Sequence, residues 1–101
     1  MLAEFTIFPI GKDVSLSKYV SRSLDLIDKS GLSYRINPMG TVVEGSWDEI
    51  MDLIKECHHA ILEDCERVST TIKIDDRKGV TNALDRKIKS VEEKVGRELR
   101  K

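Results

Sequence analysis

Hydrophobic and polar positions first follow a period of two. In residues 2–9, Leu-Ala-Glu-Phe-Thr-Ile-Phe-Pro, Ala3, Phe5 and Ile7 fall on one face and Glu4, Thr6 and Phe8 on the other, as in a half-buried strand. A loop through Pro9, Gly11 and Asp13 follows. The period then lengthens to that of a helix, with Leu16, Val20, Leu24 and Ile27 as its apolar positions. Ser15 or Ser17 supplies its N-cap, and Gly31 ends it as a residue suited to the left-handed region.

The second half repeats this alternation of periods. Residues 33–37 form a strand with Tyr34 and Ile36 on one side and Arg35 and Asn37 on the other. Pro38-Met39-Gly40 reverses the chain, with Pro fixing φ and Gly tolerating positive φ, into a third strand at 41–45. Ser46 and Glu49 form a capping box. The helix they open buries Trp47, Ile50 or Met51, Ile54, Cys57 and Ile61, and runs to about Asp64. Residues 67–75 form the fourth strand, with Val68, Thr70, Ile72 and Ile74 facing one way and Arg67, Ser69, Thr71 and Lys73 the other. After Gly79 comes a third helix with Leu84, Ile88, Val91, Val95 and Leu99 in a near-heptad stripe.

The order strand, helix, strand, strand, helix, strand gives two right-handed split βαβ units. The expected fold class is α+β: a ferredoxin-like βαββαβ sandwich, an antiparallel four-stranded sheet with both helices on one face, and an added C-terminal helix. At 101 residues the chain forms one domain, 1–101. The exposed sheet face is expected to carry Glu4, Thr6, Phe8, Arg35, Asn37, Val42, Glu44, Arg67, Ser69, Thr71 and Lys73.

Composition narrows the function classes. Charged residues make up 35% of the chain, yet the net charge is −1, which leaves no field to hold nucleic acid or an anionic membrane. The first residues carry Glu4 within an apolar run and have no basic region, so no signal peptide is expected, and no stretch approaches the roughly 20 apolar residues of a membrane span. A cytoplasmic location is the expectation. Cys57 and Cys65 are too few for a disulfide framework and are expected to be reduced thiols.

The candidate chemistry is sparse. Glu44 lies between Val43 and Gly45 on the open face, where glycine permits close approach. It is either a ligand carboxylate that accepts from an aminopyrimidine or balances a cationic ring, or a cross-strand ion-pair partner of Arg35, Arg67 or Lys73. Thr6, Ser69 and Thr71 are either hydroxyls around a polar ligand or good strand formers. His58-His59 are adjacent, and adjacent helical residues point about 100° apart, so they do not make a metal site. No nucleophile elbow, phosphate loop or paired catalytic Cys or His is present, so no enzyme, no cofactor and no metal is expected.

Several segments together carry a family resemblance. They are Pro9-Ile10-Gly11, Ser17-Lys18-Tyr19-Val20, Gly31-Leu32-Ser33-Tyr34, Asn37-Pro38-Met39-Gly40-Thr41, Glu44-Gly45-Ser46-Trp47-Asp48-Glu49, Arg67 to Asp75, Arg77 and Ser90-Val91-Glu92. Over nearly its whole length the chain resembles the small thiamine-binding domain family, formerly an uncharacterised family, and the paired domains of a bacterial thiamine and hydroxymethylpyrimidine binding protein. The resemblance implies a ferredoxin-like fold, homodimers that assemble into tetramers, and binding of thiamine or its pyrimidine precursor without catalysis. It places Thr6, Asn37, Thr41, Glu44, Ser69 and Thr71 near the ligand, with Phe8 or Met39 against a ring. The alternative is an oligomeric regulatory or assembly module that senses another small, anionic ligand through Arg35, Arg67 or Lys73.

Overall fold

The computed structural model describes residues 1–11 and 16–79. Its elements are β1 (Leu2–Ile10), α1 (Leu16–Lys29), β2 (Ser33–Asn37), β3 (Gly40–Glu44), α2 (Trp47–Leu62) and β4 (Arg67–Asp75). The helix expected after Gly79 and the Ser15 cap lie outside the described residues.

All pairings are antiparallel, and the strand order is β2-β3-β1-β4. This is the ferredoxin-like arrangement expected from the element order, with two helices on one face and the other face open. Leu2 lies opposite Glu44 on one side and Asp75 on the other, which sets the register of the centre. Ala3, Phe5 and Val43 therefore share the helix-covered face with Ile72 and Ile74. The core joins Ala3, Phe5 and Val43 to Ile27 of α1 and to Ile50, Leu53, Ile54 and Cys57 of α2.

Helix α2 is delimited as the sequence predicts. The Glu49 N–H donates to Ser46 Oγ at 3.2 Å, and the Ser46 N–H donates to Glu49 Oε1 at 3.0 Å. Two of the four orphan donors of the first turn are thereby satisfied. Gly31, after α1, has φ 78°, the left-handed conformation that suits glycine. Arg22 ties the helices together, donating to Glu63 Oε2 at 2.9 Å and Asp64 Oδ2 at 2.6 Å.

Four expectations need correction. Pro9 is a buried residue of β1 opposite Val68, and the strand continues to Ile10. Gly40 does not adopt positive φ. It opens β3 opposite Asn37, leaving Pro38-Met39 as the two-residue turn. Trp47 is 55% exposed, because it opens α2 ahead of the buried stripe, which starts at Ile50 and includes Leu53. Val20 is 53% exposed, while Tyr19 beside it is buried, so near the start of α1 Tyr19 takes the covered position, and Leu24 and Ile27 stay on the core side as expected.

Candidate functional site

The strands differ in length, and that difference opens a cleft. All nine β1 residues pair with β4, but pairing with β3 stops at Phe5 opposite Thr41. Residues 7–10 therefore run on past the start of β3, whose first residue, Gly40, lies beside Thr6. Gly40 permits the close packing at this junction: a Cβ there would sit 3.0 Å from Thr6 Oγ1 and 3.3 Å from the Phe5 carbonyl oxygen. The Thr6 hydroxyl donates to the Met39 carbonyl at 3.1 Å and fastens the turn beside β1.

A cleft of ≈ 360 Å³ opens between this stretch of β1, the hairpin tip and the first three turns of α1. Phe8, Ile36, Met39 and Val20 line it and are 50%, 55%, 86% and 53% exposed. Four large apolar side chains held in water around one concavity are the usual mark of a binding site. Thr6, Ser23, Asn37 and Thr41 add hydroxyls and one carboxamide. Apart from the Tyr19 phenol, the described lining contains no ionisable side chain, and that phenol donates instead to the Asp64 carbonyl at 3.4 Å. The described lining thus offers desolvation and neutral hydrogen bonds, with no carboxylate or imidazole for acid–base work.

Three of the six residues singled out from sequence, Thr6, Asn37 and Thr41, meet at the cleft. Thr41 reaches it from the helix-covered face, opposite Phe5 and Ile36. The other three do not line it. Ser69 and Thr71 lie on the open face opposite Phe8 and Thr6. Glu44 sits at the far end of β3 opposite Leu2 and Ser33, about 13 Å from Gly40 at a rise of roughly 3.3 Å per residue. The close neighbour of Gly45 is Leu32: a Cβ on Gly45 would meet Leu32 Cδ2 at 3.2 Å.

Sequence reasoning missed the α1 wall, formed by Tyr19, Val20, Ser23 and Leu24. An apolar stripe wider than one core face is the signal that points to it, since Tyr19 and Val20 are adjacent apolar positions and only Tyr19 is buried.

Other candidate groups have structural partners. His58 Nδ1 lies 2.6 Å from Thr70 Oγ1, linking α2 to β4. Cys57 Sγ donates to the Ser23 carbonyl at 3.9 Å, and burial, reinforced by the Glu56 charge, pushes its thiol up to about 11. A broader furrow of ≈ 590 Å³ between α1 and α2 is lined mainly by charged side chains, among them Arg22, Asp25, Lys55 and Glu63. Among the described residues no group of His, Cys, Asp and Glu could hold a metal ion, and no helix is long and apolar enough to cross a membrane.

The family model described as thiamine-binding protein matches residues 3–92. The chain is 43% identical over 93 residues to the UPF0045 protein MJ1052 of Methanocaldococcus jannaschii, covering 92% of this chain and 93% of that one. It is 41% identical over 96 residues to a UPF0045 protein of Methanothermobacter thermautotrophicus, covering 92% and 97%. The crystal structure of the M. jannaschii protein superposes with a TM-score of 0.82, covering 91% of this chain and 95% of that one. A protein from Thermotoga maritima described as a putative thiamine biosynthesis/salvage protein superposes with a TM-score of 0.72 at 27% identity, covering 94% of each chain. By sequence over most of its length and by fold, this chain belongs to the thiamine-binding protein family.

Proposed function

We propose that this protein binds thiamine or its hydroxymethylpyrimidine precursor without transforming it, acting as a cytoplasmic homo-oligomer, and that the cleft beside the hairpin tip holds the pyrimidine ring. The carrying observation is the cleft itself: ≈ 360 Å³, apolar walls, and a few neutral polar groups, the combination that suits a small aromatic ring. Phe8, Ile36 and Met39 exclude water from the ring faces. Asn37 and Thr41 supply donors and acceptors for its substituents. Family membership and the Thermotoga maritima neighbour support the choice of ligand.

In this reading Glu44, Ser69 and Thr71 serve the open sheet face, the surface available for self-association. An anionic ligand is a poorer fit to the cleft, because no Lys, Arg or His is among its described lining. Isothermal titration with thiamine and with hydroxymethylpyrimidine tests the assignment. The expected result is saturable binding that Asn37→Ala weakens and Glu44→Gln leaves intact. Binding abolished by Glu44→Gln but not by Asn37→Ala would move the site to the open face. No heat from either compound, with a folded protein, would remove the proposed ligand.

A further inference from the structure

In a strand, the N–H and C=O of one residue point to the same side, and successive residues alternate sides. The Gly45 N–H donates to the Met1 carbonyl at 3.1 Å, so the odd-numbered residues of β1 address β3. Ala3 and Phe5 follow, opposite Val43 and Thr41. Pairing with β4 continues without interruption from Leu2 to Ile10, which carries the alternation through Ile7 and Pro9. Beside those two residues β3 has ended.

Met39 stands where the partner of Ile7 would be, but it belongs to the turn, and its carbonyl accepts the Thr6 hydroxyl instead. Among the described residues no backbone hydrogen bond outside the ladders and helices involves Ile7. Ile7 is half-buried and lines the cleft. A backbone donor and acceptor that face the cleft side without a strand partner are open to one from a ligand or water.

We infer that the Ile7 edge of β1 is the recognition strip of the cleft: the Ile7 N–H and C=O pair with a planar heterocycle that carries a ring-nitrogen acceptor beside an exocyclic amine. The inference rests on the cleft being the ligand site, and adds which atoms read the ligand and which ligand edge they read. Pro9, the next residue to point this way, has no N–H, so the edge offers a single donor. Two residues, the second lacking a donor, are too short to add a peptide strand. A single aminated ring fits them. Asn37 then faces the substituents on the opposite side of that ring.

The test combines a backbone change with ligand analogues. An ester replacing the Thr6–Ile7 amide deletes the Ile7 N–H and keeps every side chain. Both chains are titrated with hydroxymethylpyrimidine and with a pyridine analogue in which C–H replaces the ring nitrogen next to the amine. The native chain is expected to prefer the pyrimidine by about tenfold, the worth of one neutral hydrogen bond, and the ester chain to bind both equally. An unchanged preference in the ester chain overturns the inference. A second analogue, with methyl in place of the amine, needs no change to the protein: about tenfold weaker binding is expected, and equal binding overturns the role of the Ile7 carbonyl. If the pyrimidine binds but neither analogue loses affinity, the strip is wrong and the cleft stands. If the folded native chain binds none of the three, the cleft reading fails and the strip with it.

Discussion

The Thr6 hydroxyl donates to the Met39 carbonyl, 33 residues away in sequence, at 3.1 Å. This bond joins the point where β1 outruns β3 to the tip of the β2–β3 turn, so it fixes the lip of the cleft. The bond is exposed, and its contribution to stability is small. Thr6→Val keeps the side-chain shape and removes the donor. It is expected to lower unfolding free energy by less than about 1 kcal/mol while weakening pyrimidine binding roughly three- to tenfold, as the lip loosens. Denaturant unfolding and calorimetric titration of the same variant separate the two effects. Full affinity in Thr6→Val would show that the lip does not need this bond.

Gly40 is constrained by space. A methyl group there would meet Thr6 Oγ1 at 3.0 Å and the Phe5 carbonyl oxygen at 3.3 Å. The threonine side chain is able to turn away, but the carbonyl is held in the sheet. Replacing a strand glycine normally gains a few tenths of a kcal/mol through the unfolded chain. Here the crowding exceeds that gain. Gly40→Ala is expected to destabilise by about 1 kcal/mol, read from the urea midpoint at constant m-value. A raised midpoint would mean that the Thr6–Met39 junction yields easily.

The fold was legible because each element carries its own period. Alternation from Ala3 to Ile7 and from Val68 to Ile74 gave the strand faces, and Ser46 with Glu49 marked the start of α2 in the sequence. Pro9 misled because proline is ordinarily a strand breaker. Its missing N–H would have pointed to the side where β3 has already ended, so the sheet loses no bond there. Of the candidate cleft, half was legible, since three of the six residues singled out line it. Thr6, Asn37 and Thr41 converge only because β3 starts beside Thr6, four residues short of the far end of β1, a consequence of pairing register that no local pattern encodes. Glu44 drew attention as a carboxylate between apolar residues, yet register places it at the opposite end of the strand. Val20 and Trp47 look like core by spacing. Whether a helical position is covered depends on where the sheet beneath it ends.

The capping box gives a pH dependence with a defined sign. The Ser46 backbone N–H, and after it the Ser46 hydroxyl, hold the Glu49 carboxyl below its ordinary value of 4.5. A carboxyl depressed in the folded state stabilises above its unfolded pKa and loses that contribution as pH falls through the lower folded value. Glu49→Ala is therefore expected to melt at a lower temperature than the parent at pH 7, with the gap closing below pH 4.5 as the parent loses the same interaction. Parallel melting curves over the whole acid range would show that the Glu49 charge does not act through the cap.

Cys57 and Cys65 are both free thiols, one buried at the α1–α2 contact and the other half-buried. Burial, with the Glu56 charge as the lesser cause, pushes Cys57 up to about 11 from an ordinary 9.0. At pH 8 a thiol with that pKa is ionised in about one molecule per thousand, and only the thiolate attacks a disulfide reagent. The native protein is expected to release one equivalent of chromophore quickly from an aromatic disulfide reagent, through Cys65, and the second only as fast as the helices part. Both react at once in denaturant. The same shift acts on stability: a thiol raised in the folded state favours folding fully below the unfolded pKa of 9.0, and loses that preference as pH rises through about 11. Cys57→Ala should therefore flatten the decline in stability between pH 9 and 11, at the cost of about 1 kcal/mol of packing below that range. Two fast equivalents from the native protein would mean that α1 opens from α2 far more readily than the Arg22 bridges to Glu63 and Asp64 suggest.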